Sequence, residues 1–524
     1  MYKLNKPSQI AFIIAILIFI AIPILLPITY SSVDDYFYLW ILSGRYTGDC
    51  SPMAPFIGYL YSSITCWLYR LTDSLEWYSL GLFAQMFVCY VILIYILLHS
   101  NLKNYEKTIL LITLIVVQAY FEIRPHNGNV CIECSMTSLI LLYYCKSKKA
   151  TALSFIIFLF ATQMRWEASF IPFLVCFPIF YYGFKIKDFR NYIKPTLKLS
   201  SILAIGIITL FINNAAYSSK DWQDFKTYNH LRGYIDDNPQ NERVYSLITD
   251  QKSKEDYDLI RICRIGDNNF MDVEATQKYV DFLKSEGIST AVSLIHWYYG
   301  EYKRIGIWWI MILLVICIGI LIHKKDLNGI IMLTAVLIMF ALGNYFLMSQ
   351  TRPKERILLP FLISLFFVFN WLIRKNDKKL FYLSNIFVCT MLVVYFSLLS
   401  VEAYKVNLTN LSKQASIDKI MKRIPDAKIL PYCISPFPEI FSARESTYGS
   451  KVYNNDWLMC TPLGPNGQKG LQPIANGTPI LCPKNRFTDV NDVMRVAIAR
   501  HYGKQLKTYV SDEYNDLILI RLAD

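Results

Sequence analysis

The sequence predicts an all-α polytopic membrane bundle of about eleven transmembrane helices, followed by a small C-terminal α/β soluble domain. Three observations carry this. Of 524 residues, 54% are hydrophobic and only 18% charged, against roughly 45–50% and about a quarter in soluble chains. The apolar residues gather in runs that approach the span of a bilayer, separated by short basic loops. From about residue 407 the chain changes to Pro and Gly turns, charges and short strand-like pieces.

The same composition excludes several function classes. The 37 Tyr, 32 Phe and 10 Trp suit aromatic belts at two membrane interfaces. A net charge of +13 would raise nucleic-acid binding in a soluble chain. Here the Lys and Arg cluster in loops between apolar runs, so topology accounts for them and no nucleic-acid partner is expected. No Walker-type, GxGxxG or zinc-finger spacing is present. The 13 Cys are scattered, and Cys131-Ile-Glu-Cys134 lacks a second pair at zinc spacing, which favours a structural reading.

Taken in order, residues 10–29 form a first uncharged run, preceded by Lys3 and Lys6 and without a small-residue cleavage site. It reads as a retained helix with a cytoplasmic start. The segment 52–71 is apolar and aromatic but marginal as a span, and suits an interfacial or re-entrant position. Further runs follow at about 77–99, 108–120, 130–145, 152–163, 168–184, 200–217, 305–323, 330–348, 357–374 and 381–403. If 52–71 does not cross, the basic loops near residues 103, 148, 190, 324 and 377 fall on one side. The positive-inside rule then places the N-terminus in the cytoplasm and the C-terminal domain outside. The expected organisation is a membrane domain over 1–406, with outer loops at 30–76 and 218–304, and a soluble domain over 407–524. In that last part, 427–431 and 517–520 look like strands and 490–502 like a helix. Asn407, Asn410 and Asn476 each begin an Asn-x-Ser/Thr triplet.

Under this topology the charges nearest the apolar runs share one face. Asp34 and Asp35 leave the first span; they read either as a solvated helix end or as an acid at the mouth of a membrane cavity. Glu122, Arg124 and His126 stand at another outer turn, where His126 reads as an ordinary loop histidine for want of a second ligand at a defined spacing. Arg165 and Glu167 lie between two apolar runs, as structural glue or as site residues. Arg352, Lys354, Glu355 and Arg356 form a cationic cluster where the charge bias expects few cations, which suits an anionic ligand. Trp222, Asn229 and Arg232 mix aromatic and polar groups, as a sugar-binding face or an interfacial helix would.

This plan resembles the GT-C superfamily of membrane glycosyltransferases, which use polyprenyl-phosphate-linked sugars as donors. The likeness rests on a first cytoplasm-to-outside helix and on the acidic motif Val33-Asp34-Asp35-Tyr36 directly after it. An interfacial first outer loop, about eleven spans and an outer C-terminal domain complete it. At residue level only the acidic motif and, less closely, Arg352-Pro-Lys-Glu-Arg356 match. The resemblance implies that Asp34 or Asp35 acts as general base on an acceptor hydroxyl or orients it. Arg352 and Arg356, with Arg165 or Arg124, would hold the leaving lipid phosphate. The implied partners are a polyprenyl-phosphate-sugar donor, a cell-envelope glycan or lipid acceptor and membrane lipid. The implied place is the inner (plasma) membrane. Paired acids suit Mg²⁺ or Mn²⁺, but no third carboxylate stands at a defined spacing, so a metal is left open. Two rivals stand beside this reading: a transporter or flippase of lipid-linked glycans, and a lipid-linked oligosaccharide polymerase. The first would want inverted repeats, and no half-to-half similarity is visible.

Overall fold

The computed structural model describes residues 6–145, 147–182, 189–236, 238, 240–261, 272–287, 291–304, 306–349, 355–424, 427–434, 437–445, 461–463 and 471–524. It is a multi-pass helical bundle with a small C-terminal sheet. The first helix, α1 (Lys6–Leu25), is almost wholly apolar. After a short loop, α2 (Val33–Leu42) starts at Ser32, whose hydroxyl accepts from the Asp34 amide at 3.3 Å. With Asp34 and Asp35 in its first turn, the sequence matches both the hydrogen-bonding and the dipole of a helix N-terminus. Every residue from Asp35 to Leu42 is buried.

The segment read as marginal contains α3 (Tyr59–Leu71), whose 13 residues reach about 20 Å at 1.5 Å per residue, short of the ~30 Å hydrocarbon core. The bundle continues with α4 (Trp77–His99), α5 (Asn104–Ile123), α6 (Asn127–Tyr144) and α7 (Lys148–Met164). At Arg165 the backbone turns extended, and the apolar run after it is broken into α8 (Trp166–Ser169), α9 (Ile171–Cys176) and a 3-10 turn over Phe177–Tyr181. Next comes α10 (Phe189–Ala216).

The long polar segment between α10 and the later helices folds into α11 (Lys220–Asp236), α12 (Asn241–Leu247), α13 (Gln251–Arg261), α14 (Val273–Ser285) and α15 (Ala291–Arg304). Leu231, Ile235, Val244, Ile248, Tyr257, Val280 and Leu283 form their own small core. Gly306, in the left-handed region at φ 79°, begins α16 (Ile307–His323), whose axis stands 89° from that of the preceding helix. The bundle is completed by α17 (Leu327–Ser349), α18 (Glu355–Asn376) and α19 (Lys378–Arg423).

Among the described residues, six helices are long and apolar enough to cross a membrane by themselves, or up to seven if the bent pair counts as one span. The sequence suggested about eleven. Part of the difference has a physical source: α6 faces protein, not lipid, with fifteen of its residues buried, among them Asn127, Asn129, Glu133, Ser135, Thr137 and Ser138. A helix lined by other helices does not need a uniformly apolar surface.

Residue 407, where the change in composition suggested a domain boundary, lies inside α19. That helix runs unbroken for 46 residues, about 70 Å, longer than a ~30 Å hydrocarbon core requires. Beyond it are β1 (Leu430–Pro431), β2 (Ile480–Pro483), β3 (Lys507–Tyr514) and β4 (Leu517–Ala523), in the order β1-β2-β4-β3. β1 and β2 are parallel and the other pairs antiparallel, with a register shift between Val510 and Asp512. The helix Arg495–Tyr502 covers the sheet, and Ala497, Ile498, Ile518, Ile520 and Leu522 share its core with Leu259 of α13. Arg500 pairs with Glu255 and, at 3.2 Å, with Asp256, so the long polar segment and the C-terminal part are docked on each other.

Candidate functional site

The acid helix α2 does not present its two carboxylates alike. Asp35 is completely buried. Its Oδ1 accepts from the Tyr78 hydroxyl at 2.7 Å and from the Asn127 backbone N–H at 3.2 Å. Its Oδ2 lies 3.7 Å from His126 Nε2. The His126 ring caps α6: its Nδ1 accepts from the Gly128 amide at 2.7 Å. An acceptor Nδ1 carries no proton, so this network assigns the ring proton to Nε2, the atom that faces Asp35. His126, read from sequence as an ordinary loop residue, is therefore part of the acid's setting. Asp34 is only half-buried, at the open end of the same helix.

The turn between α5 and α6 is stitched to the start of α2. Ser31 N–H donates to Pro125 O at 3.1 Å, and Arg124 Nη2 donates to Ser31 O at 3.1 Å. Arg124 Nη1 donates to Asn407 Oδ1 at 3.3 Å. Asn407 is fully buried and uses its whole amide. Oδ1 also accepts from Thr29 at 2.7 Å, and Nδ2 donates to Pro27 O and to Ile123 O at 2.9 Å each. One side chain thus ties α19 to the end of α1 and the end of α5. The triplet beginning at Asn407 is consequently no glycan acceptor in this fold, whereas Asn476 is exposed.

Arg165 joins the same neighbourhood through its backbone. Asn127 Nδ2 donates to Met164 O at 3.3 Å, and Cys131 Sγ donates to Arg165 O at 3.3 Å. The break after α7 is pinned from its other side by Gly58, whose N–H donates to Gln163 O at 2.7 Å. A Cβ at Gly58 would overlap the Gln163 side chain, so the close approach requires glycine. Arg165 is half-buried and Glu167 exposed at this rim.

A strap from the C-terminal part, residues 437–445, completes the wall. Tyr36 donates to Pro438 O at 2.7 Å and Trp40 Nε1 to Ala443 O at 3.1 Å. Ser79 donates to Ile440 O at 3.0 Å, which makes Tyr30 the donor in its 2.6 Å bond to Ser79. Burial pushes the Tyr30 phenol well above its ordinary range, keeping it a donor. Phe437 packs edge-on against Tyr36.

At the end of the strap, Arg444 N–H donates to Glu76 Oε1 at 2.9 Å. Burial raises the Glu76 carboxyl from 4.5 to about 7, although Arg444 and the Tyr69 hydroxyl pull the other way. A raised folded-state value means that the unfolded chain ionises first. Stability from this group is therefore complete below about pH 4.5 and is lost as pH rises toward 7. The expected loss is at most about 3 kcal/mol. Thermal unfolding against pH should show it, and Glu76→Gln should flatten the curve in that window.

Other sequence-predicted residues lie elsewhere. Trp222 packs in the core against Tyr217 and Phe225, with its ring closed in by protein. Asn229 and Arg232 are buried and hydrogen-bonded to each other at 3.0 Å. No described contact joins these three to Asp34. Arg352 lies outside the described residues. Arg356 lies in the first turn of α18, and its side chain is likewise outside the described residues. Among the described residues, no group of three or more His, Cys, Asp or Glu is gathered to hold a metal ion. Sequence reasoning missed Tyr78, Asn127, Asn407 and the strap; nothing local to those residues distinguishes them.

No family model matches the chain, and no curated protein matches it. Among solved structures it is similar to "Crystal Structure of ArnT from Cupriavidus metallidurans bound to Undecaprenyl phosphate". The two are 9% identical, the match covers 98% of this chain and 97% of that one, and the TM-score is 0.43.

Proposed function

We propose that this chain is a membrane glycosyltransferase of the GT-C type, moving a sugar from a polyprenyl-phosphate carrier to an envelope glycan or lipid acceptor at the outer face of the inner membrane. The observation that supports the reading is that the start of the acid helix is tied to an arginine-bearing turn and lies beside a helix break that carries a second arginine. Arg124 holds the carbonyl of Ser31, three residues before Asp34, while a second arginine, Arg165, stands at the adjoining helix break.

In this mechanism Asp34 is the general base. The acceptor oxygen attacks the anomeric carbon, its proton passes to the Asp34 carboxylate, and the bond from that carbon to the phosphate oxygen breaks. The electron pair leaves with the lipid phosphate, whose charge Arg124 and Arg165 offset. Arg352 and Arg356 join them on the strength of their sequence alone. Asp35 acts as a positioning residue: with Tyr78, Asn127 and His126 it fixes the rotation of α2 and so the aim of Asp34. A divalent cation on Asp34 remains outside this reading, because no further ligands gather there among the described residues.

The test is transfer from a panel of polyprenyl-phosphate sugars by the purified full chain in nanodiscs. Arg124→Ala and Arg165→Ala are expected to lower kcat/KM for the donor by about 10²-fold each. Absence of transfer from every donor, or unchanged donor dependence in both variants, overturns the reading.

A further inference from the structure

A second polar group lies inside the bundle, within two helical turns of the α5–α6 turn, and takes no part in the mechanism above. Glu122 of α5 is 0% exposed and Glu133 of α6 is 7% exposed. All four of their carboxyl oxygens are buried without a hydrogen-bond partner, and no described ion pair reaches either one. The Tyr90 hydroxyl from α4 is 1% exposed, also unpartnered, and within electrostatic reach of both carboxyls. Gln118, one turn before Glu122, turns its amide toward that carboxyl without closing a hydrogen bond of normal geometry. The other titratable groups facing the pair are the thiols of Cys89 and Cys134, which bond to each other at 3.6 Å.

A folded chain leaves few buried polar atoms unsatisfied, and two carboxylates sharing an apolar interior are the costliest case. Five such oxygens, from three helices, are left by the polypeptide without a hydrogen bond of normal geometry. The set is oxygen-rich: two carboxyls, a phenol and a carboxamide, with no imidazole and with the nearby thiols engaged. Such oxygens suit a hard cation. A divalent ion would want more carboxylate or imidazole ligands than gather here among the described residues. Two carboxyl groups sharing one proton carry a single negative charge, which one monovalent cation neutralises.

We propose that Glu122, Glu133, Tyr90 and Gln118 form an intramembrane site for a small monovalent cation of sodium type, which competes with a proton for the carboxyl pair.

The experiment is carbodiimide labelling of the full chain in nanodiscs, read by peptide mass spectrometry. N,N′-dicyclohexylcarbodiimide adds a protonated carboxyl across its C=N bond and rearranges to a stable N-acylurea, without any redox step. In sodium-free buffer, Glu122 or Glu133 is expected to be labelled. Sodium chloride, compared with choline chloride at equal ionic strength, should lower the yield by about tenfold, the equivalent of one pKa unit. Glu122→Gln with Glu133→Gln should abolish it, and Tyr90→Phe should keep the labelling while weakening the sodium protection. Labelling of neither glutamate, or labelling that sodium leaves unchanged, overturns the proposal. The wild-type salt comparison decides even if the variants fail to fold, and it is independent of sugar transfer.

Discussion

Asp34→Asn is expected to fold like the wild type and to lose about 10²- to 10⁴-fold in transfer, the usual contribution of a positioned general base. The side chain is half-exposed at a helix N-terminus, where Asn serves about as well as Asp, so the helix start survives the change. The neighbouring position behaves differently. Asp35→Ala removes the acceptor of Tyr78 and Asn127 and the group faced by His126, leaving buried donors without partners. At about 1–3 kcal/mol for each orphaned group, a loss of roughly 3 kcal/mol or more is expected. Melting temperature and initial transfer rate, measured on both variants, separate the roles. Full transfer by Asp34→Asn would remove it as the base. An unchanged melting temperature in Asp35→Ala would remove Asp35 as the support of α2.

The sequence made the acidic pair legible but not this division of labour. Adjacent helical residues diverge by about 100° around the axis, so only one of the two can face the bundle. Which one depends on how α2 is rotated, and partners far along the chain decide that: Tyr78, Asn127 and the strap carbonyls of Pro438 and Ala443. The apolar runs from 77–99 onward fall on helices, 168–184 excepted, because hydrophobic segment length is a local property. The polar face of α6 escaped notice because burial against other helices is not local. The extent of α19 was hidden for a related reason. Its second half turns polar, and a change in composition there looks like a change in fold. The C-terminal strands at 430–431 and 517–523 showed in part, through short apolar pieces bounded by turns.

Asn407→Ala is the other substitution with a large expected effect, and it tests how the second half of α19 serves the site. The side chain satisfies two carbonyls from different helix ends and accepts from Thr29 and Arg124. Its removal strands the Pro27 and Ile123 carbonyls in a buried setting, at a cost of about 3–5 kcal/mol. Asn407→Asp keeps the acceptors but sets carboxylate oxygen against both carbonyls, so it should be no better tolerated. Arg124 would lose one of its two described tethers, and the reading above then expects a weaker hold on the lipid phosphate. Where a variant retains enough folded protein to assay, KM for the donor should rise more than kcat falls. Thermal unfolding in detergent gives the stability term, and donor titration gives the other. A melting temperature within error of the wild type would mean that water replaces the amide at this junction, and that α19 is not what holds the ends of α1 and α5 together.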